Sequence, residues 1–159
     1  MRKPKLYLET SVWNFIFADD APEKKEITLK FFNRINDGEY DIFISDLVTD
    51  EILKTEAEKR DALLKIVGKY KPANLTINEE TRELAEIYIS ENVLSDGSLE
   101  DAIHAAVATV NEIGALISWI LKHLANFRRM EMINGVNMKA GYYKRLELIT
   151  PMEVCNEEI

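Results

Sequence analysis

The stretch KLYLETSVWNF, residues 5–15, decides how the rest of the chain is read. Leu6, Tyr7 and Leu8 form a continuous apolar run, the pattern of a strand covered on both faces. The strand is expected over 5–9. An acid, Glu9, closes it, and Thr10 or Ser11 then offers a hydroxyl cap for a helix running to Phe17. A carboxylate at the end of such a strand is hard to explain as surface decoration, so Glu9 is a candidate site residue.

The same grammar repeats downstream. Pro22 suits the first turn of a helix reaching Asn36 and closed by Asp37-Gly38. In DIFISDLVTDEI, residues 41–52, a strand over 41–45 leads through Ser45 into a helix over 46–56 that carries Glu51. A helix over 59–69 follows, and Pro72 breaks it before a strand over 75–77. Asn78 caps a helix over 79–92, with Leu84, Ile87 and Tyr88 at helical spacing. After the loop Ser95-Asp96-Gly97, LEDAIHAAVATV belongs to an Ala-rich amphipathic helix starting at Ser98 and closed by Gly114. A strand over 115–119, a short helix over 121–127 and a last strand over 146–150 before Pro151 complete the order. Strands alternating with helices imply an α/β fold with a parallel sheet. Ligands then bind beyond the carboxyl ends of the strands, near the topological switch point.

The whole chain sets the bounds. Its 159 residues suit one domain over 1–159, large enough to bury roughly 70% of the surface of the unfolded chain. No apolar run has the length of a membrane span, and MRKPKLYLET does not read as a signal peptide, so a cytoplasmic protein with no membrane association is expected. The single Cys155 excludes an internal disulfide and a cysteine-based zinc site. A net charge of −8 argues against coating nucleic acid by bulk electrostatics. Residues 114–150 nevertheless hold six bases, Lys122, Arg128, Arg129, Lys139, Lys144 and Arg145, against Glu131 and Glu147. That basic stretch is either a path for a phosphodiester or a solvated face whose charges segregate.

Glu9, Glu51 and Asp101 each stand where a strand ends or a helix begins. Brought together they repel one another unless a cation binds, and oxygen donors suit Mg²⁺ or Mn²⁺. Such ions assist phosphodiester hydrolysis by activating water and stabilising the leaving oxygen. Each acid also has a plainer role: Asp101 favours the helix dipole, and Glu51, like Asp50, suits a solvated helix face. Asp46 and Glu100 read as a helix-start charge and a surface charge. His104 reads more readily as a hydrogen-bonded interior residue than as a metal ligand. Thr10, Ser11, Asn14 and Ser118 are candidate supporting residues. Trp13 and Trp119 fit core packing better than base stacking, and Lys122, Arg128 and Arg129 are candidate phosphate contacts.

On these residues the chain resembles the PIN-domain family, which includes the VapC-like toxins. The matching motifs are Leu8-Glu9-Thr10-Ser11, Glu51 in SDLVTDEI, and Asp101-Ala102-Ile103-His104-Ala105-Ala106. The C-terminal GYYKRLELITPMEV is similar to the Gly-Tyr and Thr-Pro-x-Glu ending of a subgroup. The resemblance implies a three-layer α/β/α domain with a central, mostly parallel sheet. It also implies a Mg²⁺- or Mn²⁺-dependent ribonuclease with Glu9, Glu51 and Asp101 as metal and catalytic residues, often a homodimer and often held by an antitoxin protein. Two positions depart from the pattern. Glu9 stands where the family has Asp, and Ile120 follows Ser118-Trp119 where an acid or Asn is usual, leaving Asn126, His123 or Asp96 as substitutes. The alternative reading is therefore a catalytically impaired PIN-like module that binds protein or RNA. A phosphoacceptor receiver domain needs an Asp at the end of its third strand, where this chain has Thr76-Ile77-Asn78.

Overall fold

The structure is a computed structural model that describes residues 2–94, 98–120 and 127–156. Five strands form one sheet in the order β3-β2-β1-β4-β5: β1 Lys5–Leu8, β2 Asp41–Ser45, β3 Ala73–Leu75, β4 Ala115–Ile117 and β5 Glu147–Ile149. All four pairings are parallel. In register, Tyr7 lies between Phe43 of β2 and Leu116 of β4. The strand order runs outward from β1 to β3, then returns past β1 to β4 and β5. The switch point therefore lies between the carboxyl ends of β1 and β4, where Glu9 and Ser118 emerge.

The helices are α1 Thr10–Asn14, α2 Pro22–Asn36, α3 Asp46–Leu53, α4 Ala57–Tyr70, α5 Glu79–Ser90, α6 Leu99–Val110, α7 Phe127–Lys139 and α8 Pro151–Cys155. They pack in two groups, α1 to α4 with α8, and α5 to α7, with α3 also touching α6. This is the expected α/β/α arrangement, with a sheet that is parallel throughout. None of the described helices is long and apolar enough to cross a membrane.

The core explains the order. Leu8 and Tyr7 of β1, Leu116 of β4 and the small residues Ala102, Ala105 and Ala106 of α6 are fully buried, so α6 can lie close to the centre of the sheet. On the other side Trp13 packs against Phe32 with centroids 5.1 Å apart, and Phe32 lies 4.8 Å from Tyr70. These contacts fasten α1 to α2 and to the end of α4. Among the described residues the Trp13 indole N–H has no hydrogen-bond partner, a cost of about 1–3 kcal/mol. Burying the indole ring contributes roughly 4–6 kcal/mol at about 25 cal/mol per Å². Packing wins, and neither tryptophan is free to stack a base: Trp13 is fully buried and Trp119 nearly so.

Several boundaries differ from the sequence expectation. Glu9 itself, not Thr10 or Ser11, is the N-cap of α1, and the chain from Phe15 to Phe17 tightens into a 3-10 turn. The helix from Asp46 stops at Leu53, and β3 spans Ala73–Leu75, two residues early. Helix α6 ends at Val110 rather than at Gly114. Glu112, with φ of 57°, takes the left-handed turn position expected of that glycine. Most of the short helix expected over 121–127 lies outside the described residues. Helix α7 was not expected at all, because two of its four buried positions are asparagines, Asn134 and Asn137. Asn134 donates to the Leu146 carbonyl and accepts from the Leu146 N–H, both at about 2.9 Å or less. Asn137 accepts from the Tyr88 hydroxyl at 2.5 Å and donates to Thr109 at 3.1 Å. The buried face of α7 is therefore partly held by side-chain hydrogen bonds, which a hydrophobic period does not record. Helix α8, capped by Thr150 with Pro151 in its first turn, was also unforeseen.

Candidate functional site

The site grows from the end of β1. Glu9 continues that strand with an extended backbone, and its N–H donates to the Ile117 carbonyl of β4 at 3.0 Å. The side chain then folds back over the start of α1. Its Oε1 accepts from the Ser11 N–H at 3.0 Å, from the Ser11 hydroxyl, and from the Ser118 hydroxyl at 2.8 Å. Glutamate is not a favoured cap residue, and here its extra methylene lets the carboxylate reach the helix N–H. Ser11 in turn accepts from the Trp119 N–H at 2.9 Å, and Ser118 from the Ile120 N–H at 3.1 Å. The β4 exit loop is thus sewn to α1 around one carboxylate. Glu9 is only 3% exposed, and among the described residues no Lys or Arg pairs with it.

Glu51 is placed differently. It stands on α3, beyond the end of β2, and is half-buried. Its Oε1 accepts from the Thr10 hydroxyl at 2.7 Å and lies 2.8 Å from His104 Nε2 on α6. His104 Nδ1 lies 2.6 Å from the Tyr7 hydroxyl, which also lies 2.8 Å from Ser45 Oγ. Ser45 caps α3 through the Leu47 N–H at 3.2 Å. One continuous chain of contacts therefore joins β2, β1, α6, α3 and α1.

Electrostatics separate the groups further. Burial pushes the Glu51 carboxyl up, but the hydrogen bond and field of His104, then Thr10 and Glu100, bring it below the ordinary glutamate value. Glu100 is raised, first by its hydrogen bond to Glu51, then by burial and by the charge of Glu51. The two carboxyls therefore shift in opposite directions, Glu51 down and Glu100 up. Burial holds the Tyr7 phenol well above its ordinary range; the Ser45 bond opposes this, and Glu9, Glu51 and Asp46 add to it. Both glutamates thus act on the same buried phenol.

Asp101 occupies the first turn of α6, half-buried, one residue after Glu100 and one turn before His104. Thr10, Ser11 and Ser118 are hydrogen-bonded to the two glutamates. Asn14 is not joined to them by any hydrogen bond. It lines a cleft of about 530 Å³ with Phe15, Asp20, Glu56 and Lys59, and its buried Oδ1 has no hydrogen-bond partner among the described residues. Arg128 and Arg129 line a cleft of about 330 Å³ with Asn92, Val93 and Met132. Lys122, His123, Asn126 and Asp96 lie outside the described residues. Asp46 ties the β3 exit to α3 through the Ile77 N–H and Asn74, the helix-start role expected of it. His104 is an interior hydrogen-bonding residue, also as expected.

Two residues escaped the sequence reading. Glu100 meets Glu51 instead of facing solvent alone, and Tyr7 anchors His104. Tyr7 had a readable signal: it shares a strand face with Glu9, two residues on, and is the one polar-tipped side chain in an apolar run. Glu100 had none, since a helix-start acid is commonplace.

The chemistry of this donor set suits a hard divalent cation. Two carboxylates, each pinned through one oxygen by hydroxyl and N–H or imidazole donors, present oxygen ligands at a strand edge. A buried Glu9 whose donors among the described residues are all neutral is the kind of group a cation stabilises. Among the described residues, however, no three His, Cys, Asp or Glu side chains form a group able to hold one ion.

No protein-family model matches the chain, and no curated protein matches its sequence. The fold does have counterparts. One is a chain in the crystal structure of VapBC2 from Rickettsia felis bound to a DNA fragment from their promoter, with a TM-score of 0.55 and 14% identity, covering 92% of this chain and 98% of that one. At that identity the likeness is one of architecture: the five-stranded parallel sheet flanked by helices is a PIN-like fold.

Proposed function

We propose that this chain is a divalent-metal-dependent endoribonuclease of PIN type, in which Glu9, Glu51 and Asp101 bind Mg²⁺ or Mn²⁺ at the switch point. The observation that carries the reading is Glu9, a buried carboxylate at the carboxyl end of β1 whose described partners are hydroxyl and N–H donors. Glu51 stands at the same edge, oriented by Thr10 and His104. When bound, the cation supplies Lewis acidity toward a scissile phosphodiester. The chain's own part is to hold these carboxylates rigidly and to shape the crevice between β1 and β4. Ser11 and Ser118 fix Glu9, and Thr10 fixes Glu51, so neither acid must reorganise when substrate arrives. Arg128 and Arg129, with Lys122, are proposed as phosphate contacts. By extension from the VapBC2 likeness, an antitoxin-like protein and a second copy of this chain are proposed partners.

A second reading is a PIN-like binding module without catalysis. Ile120 favours it: its N–H donates to the Ser118 hydroxyl that also holds Glu9, and its side chain, where an acid or Asn is usual, is apolar and 53% exposed. One assay separates the two. RNA cleavage with Mn²⁺ or Mg²⁺ is expected for the wild type and is expected to fall at least about 100-fold in Asp101→Asn, a loss of about 2.7 kcal/mol in transition-state stabilisation. Equal cleavage by both proteins rejects the site. No cleavage by the wild type together with cleavage by Ile120→Asp marks a binding module that has lost a ligand.

A further inference from the structure

The contacts behind Glu51 form a directed chain, and its direction follows from donors and acceptors. Ser45 Oγ accepts from the Leu47 N–H and lies 2.8 Å from the Tyr7 hydroxyl. Tyr7 is fully buried and lies 2.6 Å from His104 Nδ1. The other ring nitrogen, Nε2, lies 2.8 Å from Glu51 Oε1, which also accepts from Thr10. Glu51 as a carboxylate has no proton to give, so Nε2 must carry one. A neutral ring protonated at Nε2 leaves Nδ1 bare, and the Tyr7 O–H is the donor that meets it. The Tyr7 side chain is fully buried, so water does not compete for that contact. The ring is fixed by packing as well: the Tyr7 and His104 centroids lie 5.6 Å apart.

We propose that Tyr7 and His104 are positioning residues for Glu51: the Tyr7 hydroxyl selects the Nε2-protonated form of His104, and that N–H locks the Glu51 carboxyl in the orientation that serves a divalent cation. Neither residue touches the cation or the substrate. Tyr7 lies inside the sheet and His104 is buried on α6, so they set the geometry of the acid from behind. Outer partners of this kind orient ligands, and their loss typically costs about 10–100-fold in metal affinity. The proposal rests on the metal-dependent reading for its consequence, but its first half stands without it.

The test therefore has two arms on the full-length protein. The sequence holds only two histidines, so ring ¹⁵N spectra at neutral pH are assigned with a His123→Gln variant. Nε2 of His104 is expected to be protonated in the wild type, and Tyr7→Phe is expected to shift its ring signals. A bare Nε2 in the wild type, or a ring unaffected by Tyr7→Phe, overturns the proposal whether or not the protein binds metal. In the second arm, Mn²⁺ is titrated into each protein. Affinity is expected to fall about tenfold in Tyr7→Phe and His104→Leu and to be largely restored in His104→Gln, whose amide can donate from nearly the Nε2 position. Equal affinity in wild type, Tyr7→Phe and His104→Leu overturns the positioning role. If the wild type binds no Mn²⁺ but the ring spectra are as expected, the metal reading fails and the Tyr7–His104–Glu51 arrangement survives it.

Discussion

The two glutamates differ in who holds them. Glu9 is held at short range, by the residue two places along and by the β4 exit loop, and is almost closed to solvent. Glu51 is held by side chains from two other elements, Thr10 of α1 and His104 and Glu100 of α6, and stays partly open. One acid is a structural keystone as well as a candidate ligand; the other is a partly open carboxylate set by a relay behind it. Carboxylates in one site can therefore answer very differently to the same substitution.

The largest expected effect tests that difference in stability. Glu9→Ala strips the acceptor from the Ser11 N–H, the Ser11 hydroxyl and the Ser118 hydroxyl, and unpaired buried groups cost about 1–3 kcal/mol each. Allowing for relaxation, a loss of about 3 kcal/mol is expected by chemical denaturation. Glu51→Ala, in a half-open site, is expected to cost about 1 kcal/mol. Glu9→Gln keeps an acceptor oxygen and should recover most of the difference. Equal losses for the two alanine variants would erase the distinction drawn above.

A smaller effect comes from Tyr7. Its phenol is raised in the fold, so the native state keeps a proton that the unfolded chain releases above about pH 10. Stability from this group is complete below that pH and is lost as pH rises toward the folded value. Melting temperature should fall above about pH 10, and less steeply in Tyr7→Phe, measured against Tyr88→Phe because Tyr88 is raised by burial in the same sense. An alkaline limb identical in Tyr7→Phe and wild type would detach Tyr7 from this account.

Much of this was legible from the sequence where local rules and packing agree. The run into Glu9, the Ser45 cap and the Ala-rich α6 each carry their own signal, and the parallel α/β order follows from their alternation. Helix α7 was not legible, because Asn134 and Asn137 fill core positions through partners at Leu146, Tyr88 and Thr109 that only the fold brings near. At the site, Glu9 at the end of β1, Glu51 within the helix after β2 and Asp101 at the start of α6 could be placed from the sequence. That Glu100 would meet Glu51, and the Tyr7 hydroxyl meet His104, could not, because those contacts join α6, α3 and β1 across long stretches of chain.

The central claim is that Glu9 and Glu51 serve one cation, and a crystal soaked in Mn²⁺ tests it most directly. Anomalous density within ligand distance of both carboxyls is the result predicted, at about 2.0–2.3 Å from their oxygens. A well-ordered site in which both side chains are visible and no Mn²⁺ lies between them would contradict it.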